Sequence, residues 1–117
     1  ADQYMFMEKD GTSALMIRYY YAMTLLYHKK EVKSTLQNLN MCLCQAPLMA
    51  EFWCLMGDVY YHLLNRFDHA KDFYENAILM GSKRLKSDRM PMDIEKYHKY
   101  PTKMIHNCDN ILMAMAG

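Results

Sequence analysis

The side chains able to do chemistry in this chain are four cysteines (Cys42, Cys44, Cys54 and Cys108), five histidines and scattered carboxylates. Metal capture is the first chemistry to consider. Cys42 and Cys44 are two positions apart, which on a helix turns their thiols about 200° from each other and away from a common ion. Cys54 with His62, and His106 with Cys108, also lack the ligand spacing of a zinc motif. No metal or other cofactor is expected. Nucleophilic catalysis has no better footing, because there is no Gly-rich phosphate loop, no G-x-S-x-G elbow and no cysteine with an evident histidine partner. His69, in "RFDHA", reads as a surface residue near a helix start rather than a catalytic group. An enzyme site between helices would need polar groups converging on His62, Asp58 and Tyr61. No catalytic residue is assigned, and this chain alone is not expected to be an enzyme.

The bulk properties point the same way. The chain has 117 residues, the size of one domain, with 52% hydrophobic and 23% charged residues, enough apolar material for a packed core. A net charge of +1 argues against a nucleic-acid binder, which concentrates basic residues on one face. The basic cluster "SKRLKSDR" (82–89) reads as a solvated loop before it reads as a phosphate site. Thirteen Met against four Gly and three Pro favour helix throughout, with Met filling the core or lining an adaptable surface. No apolar run approaches the ~20 residues of a membrane span. Cysteines within helical patterns suggest small buried hydrophobes in a reducing, cytoplasmic setting. The chain opens on Ala1, as would either a piece of a longer protein or ordinary removal of an initiator Met.

Helices must position whatever site exists. The first is expected over about 13–27, with Ser13 as N-cap and Leu15, Ala22, Leu25 and Leu26 on one stripe. The second covers about 31–44 and stops before Pro47. A third (about 49–64) and a fourth (about 68–80) flank a turn at "NRF", and Gly81 looks like the stop signal of the fourth. A connection over 82–100, holding Pro91, leads to a last helix at 101–116 that opens on Pro101. No strand pattern appears.

The helix pairs repeat. At an offset of about 35 residues Ala22 matches Gly57, Leu25 matches Tyr60 and Leu26 matches Tyr61, close to the ~34 residues of a tetratricopeptide unit. The second copy places Trp53, Met56-Gly57, Tyr60, Ala70, Tyr74 and Ala77 in the order of that family's signature, and the chain resembles a tetratricopeptide repeat (TPR) domain. Gly57 and Ala70 lack bulk where paired helices come closest, with aromatic rings filling the gaps beside them. Repeat 1 spans about 15–47 and repeat 2 about 50–81. Arg18 and Asn38 depart from the signature in the first copy, as an array end allows. Met104, Cys108 and Ile111 stand in the slots of Trp53, Gly57 and Tyr60, so the last helix would cap the second repeat. The expected fold is an all-α, right-handed stack of two helix hairpins and a capping helix.

The resemblance implies a concave groove lined by the first helices of each pair. Carried over slot by slot, its residues would be Tyr19, Met23 and Leu26 or Tyr27, then Glu51, Cys54, Asp58, Tyr61 and His62, then Ile105, Asp109 and Leu112. Such a face could take a helix or an extended peptide; in so short an array the last helix and the connection could equally fill it. Repeats that clamp a chaperone's C-terminal carboxylate need Lys and Asn where this chain has Tyr19, Met23, Cys54 and Asp58, so an anion clamp is not expected.

"RYYYAMTLLY" (18–27), "AEFWCLMGDVYY" (50–61) and "DIEKYHKYPTKM" (93–104) together resemble the C-terminal helical tail of bacterial and phage family-2 glycosyltransferases. The resemblance implies an accessory domain for protein or peptide interaction, or for self-association, beside a transferase domain that this chain lacks. A free-standing adaptor or secretion-type chaperone is the alternative.

Overall fold

The structure, a computed structural model, describes residues 14–88 and 94–117, with side chains for 14–83 and 98–117. The expected N-cap Ser13, Pro91 and most side chains of the basic cluster lie outside the described residues. Everything described is helix or short turn, with no strand.

Helix α1 (Ala14–Thr24) continues into a π-helical turn, Leu25–Lys29. Helix α2 (Val32–Gln45) follows after two residues and ends two residues before Pro47, whose ring disfavours helix in its predecessor, Ala46. Helix α3 (Ala50–Asp58) also runs into a π-helical turn, Val59–Leu63. Helices α4 (Phe67–Asp88) and α5 (Ile94–Ala116) complete the chain. Among these described residues no helix is long and apolar enough to cross a membrane.

The duplication seen in the sequence recurs in the backbone. Among the described residues, Lys30 (φ 55°) and Asn65 (φ 52°) are the non-glycine residues in the left-handed region, each just beyond a π turn. The Glu31 amide donates to the Leu25 carbonyl (3.0 Å), and the Arg66 amide donates to the Tyr60 carbonyl (2.8 Å). These bonds join the positions that sequence alignment pairs, Leu25 with Tyr60. A π turn inserts one extra residue into the helical ladder, so both first helices rotate their last side chains by the same amount.

Two apolar clusters hold the hairpins. Ala22, Leu26, Leu39, Leu55, Met56 and Val59 join the first hairpin to α3. Ala70, Tyr74, Met104 and Cys108 join α4 to α5; of the three slots expected to face the second hairpin, Met104 and Cys108 lie in this cluster and Ile111 does not. The Trp53 indole N–H donates to the Pro47 carbonyl (2.7 Å), and its ring stacks on Phe73 (centroids 6.2 Å apart).

The expected connection over 82–100 needs correcting. Helix α4 runs on to Asp88 and α5 begins at Ile94, leaving only 89–93 between them. Gly81 does not end its helix. A Cβ added there would sit 3.2 Å from the Ala50 Cβ, so this glycine lets the start of α3 approach α4. Pro101 lies inside α5 rather than at its start, and its ring is fully buried. Burying the ring offsets the hydrogen bond that proline removes from the helix. The antiparallel sense of α4 and α5 follows from their pairings, Lys71 with Asp109 (2.7 Å) and Ser82 with His98 (3.2 Å).

Gly57 is the tightest point of the fold. A Cβ there would lie 2.6–2.8 Å from three ring carbons of Tyr74, closer than any real contact. Gly57→Ala should therefore destabilise the protein by about 2–3 kcal/mol despite alanine's better helix propensity. Gly81→Ala, facing only a methyl group, should change stability by less than about 1 kcal/mol. Urea denaturation of the two variants checks the contrast.

Candidate functional site

Asp58 ends α3 in the middle of an apolar stretch, and only 4% of its surface is exposed. A carboxylate in that position must find donors, and it finds three. The Tyr27 hydroxyl donates to Oδ2 (2.7 Å). The Tyr74 and Tyr100 hydroxyls both donate to Oδ1, each at 2.5 Å. Tyr27 comes from the π turn that closes α1, Tyr74 from α4, and Tyr100 from α5 directly before Pro101. An ionised carboxylate has about four acceptor positions, so Asp58 is close to saturated.

The same carboxylate shapes the chemistry around it. Burial, then the Asp58 charge, then the hydrogen bond to it push the phenols of Tyr27, Tyr74 and Tyr100 above the ordinary tyrosine range. Further along the same face of α3, at less buried positions, lie Cys54 and Glu51, near Tyr19 of α1. Burial raises the Tyr19 phenol, and the charges of Glu51, Cys54 and Asp58 add to it. Burial followed by the charges of Asp58 and Glu51 pushes the Cys54 thiol up to about 12. Burial also raises Cys42 and takes Cys108 to about 11. These three thiols stay protonated at neutral pH and are poor nucleophiles. All four cysteines are free.

Glu51 differs from Asp58 in one respect. Its Oε1 is buried and has no hydrogen-bond partner among the described residues. It sits in the first turn of α3, where the helix dipole favours negative charge.

Of the residues expected to line a groove, the structure gathers Tyr19, Tyr27, Glu51, Cys54 and Asp58. His62 borders them through its edge-on contact with Tyr27 (centroids 6.3 Å). Met23 is turned partly into the first core cluster, and Leu26 is buried there outright. Tyr61 packs edge-on against Phe67 (5.2 Å) and, with Ile105, supports the second cluster. Asp109 is engaged by Lys71 of α4. Asp58 itself was expected to face a partner; it is buried, and its oxygens bond Tyr27, Tyr74 and Tyr100, not Tyr61 or His62.

Tyr74 and Tyr100 are the residues that sequence reasoning missed in this role. Tyr74 reads as pure packing, and Tyr100 falls in the supposed connection. The available signal was Asp58 itself, an acid between Gly57 and Val59 on a helix otherwise made of core residues, which demands hydroxyl or cationic donors nearby.

Among the described residues no group of three or more His, Cys, Asp or Glu side chains is arranged to hold a metal ion. No protein-family model matches the chain, and neither a curated protein nor a solved structure shows significant similarity to it.

The phenols give a pH signature. Their folded pKa values lie above the unfolded value of about 10, so their contribution to stability is complete below that pH. It is lost as pH rises further, because only the unfolded chain then releases the protons. Stability should fall above about pH 10 by up to about 1.4 kcal/mol per pH unit for each such phenol, and Tyr74→Phe should flatten that slope. At neutral pH Tyr74→Phe should cost about 1.5–3 kcal/mol, as expected for a buried hydrogen bond to a charged group. Tyr100→Phe, at a half-exposed position, should cost less. Guanidinium titrations at a series of pH values measure both effects.

Proposed function

We propose that the chain is a TPR-like helical stack acting as a protein or peptide interaction scaffold, and that the shared face of α1 and α3 receives the partner. One observation carries the reading: Tyr19, Tyr27, Glu51, Cys54 and Asp58 gather on that face, with the rings of Tyr27 (45% exposed) and Tyr100 (40%) at its solvent edge. Half-exposed rings whose polar ends are already fixed offer contact area at low entropic cost. The repeated left-handed residues and closing bonds support the TPR-like reading. The likeness of 18–27, 50–61 and 93–104 to the tail of family-2 glycosyltransferases supports a role as an accessory domain of such an enzyme, in the cytoplasm of a bacterium or its phage. The gene upstream of Ala1 decides this part of the reading: a transferase domain running into the chain is the expected finding, and its absence favours a free-standing adaptor.

The interaction face is testable directly. A random-peptide display library should yield binders to the wild-type chain, and their affinity should fall about tenfold or more in a Tyr19→Ala/His62→Ala double variant. Leu79→Ala, on an exposed part of α4, should leave it unchanged. Binders that ignore the double variant but are lost with Leu79→Ala would place the interaction elsewhere.

A further inference from the structure

We infer that the outer face of α1, around Ile17, Tyr20 and Tyr21, is a docking surface for residues 4–7 of this same chain. The inference does not depend on the function proposed above.

The first and last helices present different outer faces to solvent. On α5 the exposed stripe is Lys99, Thr102, Lys103, His106 and Asn110, a polar surface of the kind that ends a helical array. On α1 the exposed stripe is Ile17, Tyr20, Tyr21 and Thr24, whose spacing of three and four places them on one helical face. Both tyrosines are more than half exposed. Met41 of α2, also exposed, widens the patch; its sulfur lies 3.3 Å from the Arg18 Nη1. A contiguous apolar face of this kind marks a contact site.

Three features of the sequence point to residues 4–7 as the occupant. The first is composition: residues 1–13, which lie outside the described residues, carry one apolar run, Tyr4-Met5-Phe6-Met7, and aromatic rings and thioethers pack well on tyrosine. The second is reach. The polar stretch 8–13 contains Asp10-Gly11, a dipeptide that favours chain reversal. The path from Met7 to Ala14 extends to about 23 Å, whereas Ile17 and Tyr21 lie only about 5 and 11 Å along the helix from Ala14. The third is charge. Lys9 against Asp2, Glu8 and Asp10 leaves residues 1–13 at −2, while Arg18, Lys29, Lys30 and Lys33 against Glu31 leave residues 14–47 at +3, and the side chains of 48–117 balance. Opposite charges draw the segment to the first hairpin rather than to the second. A tethered segment also competes at a millimolar effective concentration, which a second copy of the chain does not match in dilute solution.

The test uses the full chain with isotope-labelled methionine methyl groups. Nuclear Overhauser effects should connect Met5 or Met7 to the ring protons of Tyr20 or Tyr21. They should survive tenfold dilution and be absent from a filtered spectrum of mixed labelled and unlabelled protein, which detects only contacts between copies. Phe6→Ser should lower the urea midpoint of the wild-type chain by about 0.5 M and leave that of an Ile17→Ser/Tyr20→Ser variant unchanged. Effects seen only between copies assign the face to a second copy and overturn the inference. Absence of any such effect in the wild-type chain overturns it as well, as does a Phe6→Ser shift of the same size in both backgrounds, which places Phe6 on another surface.

Discussion

The Asp58 carboxylate is the junction on which the helices of this protein depend. It receives hydroxyl hydrogens from the π turn that closes α1, from α4 and from α5, and it belongs to α3, so four of the five described helices meet at two oxygen atoms. A buried anion without a cation is costly unless its acceptors are filled, and each phenol that fills one must be delivered by a correctly placed helix. The charge therefore acts as a constraint on tertiary structure. Apolar clusters supply cohesion on either side of it, but such packing tolerates small slips that three directional bonds to one carboxylate do not.

The surrounding geometry serves this junction. Gly57 precedes Asp58, and its missing side chain lets the Tyr74 ring lie against the α3 backbone with its hydroxyl within reach of Oδ1. The π turn after α1 presents Tyr27 to Oδ2, and the fully buried Pro101 anchors α5 one residue beyond Tyr100. Both first helices close on a π turn and a left-handed residue, yet only the second carries a buried acid. Its equivalent in the first hairpin, Met23, packs into the core instead. One structural unit, used twice, supports a polar junction in one copy and an apolar wall in the other.

Glu51 stands apart from this economy. Its buried Oε1 meets no donor among the described residues, whereas the phenols and the Cys54 thiol around it are held protonated by burial and by the acids themselves.

Helix content, the pairing of helices and the small-residue positions were legible in the residues, because a 3.6-residue apolar period and the spacing of Trp53, Gly57, Tyr60, Ala70, Tyr74 and Ala77 are local, repeating signals. Tyr19, Tyr27, Glu51, Cys54 and Asp58 lie at helical spacing on two helices, but where the sequence suggested an open groove the structure buries Asp58 among them. The ends of α4 and α5 were not. Gly81 and Pro101 carry the usual marks of helix boundaries, and only packing, against Ala50 in one case and into the core in the other, turns them into interior residues. Nor could the sequence show that Asp58 points inward to three tyrosines. Those partners lie 16 to 42 residues away along the chain. Which hydroxyl reaches which carboxylate is decided by how the helices stack, and no local pattern encodes it.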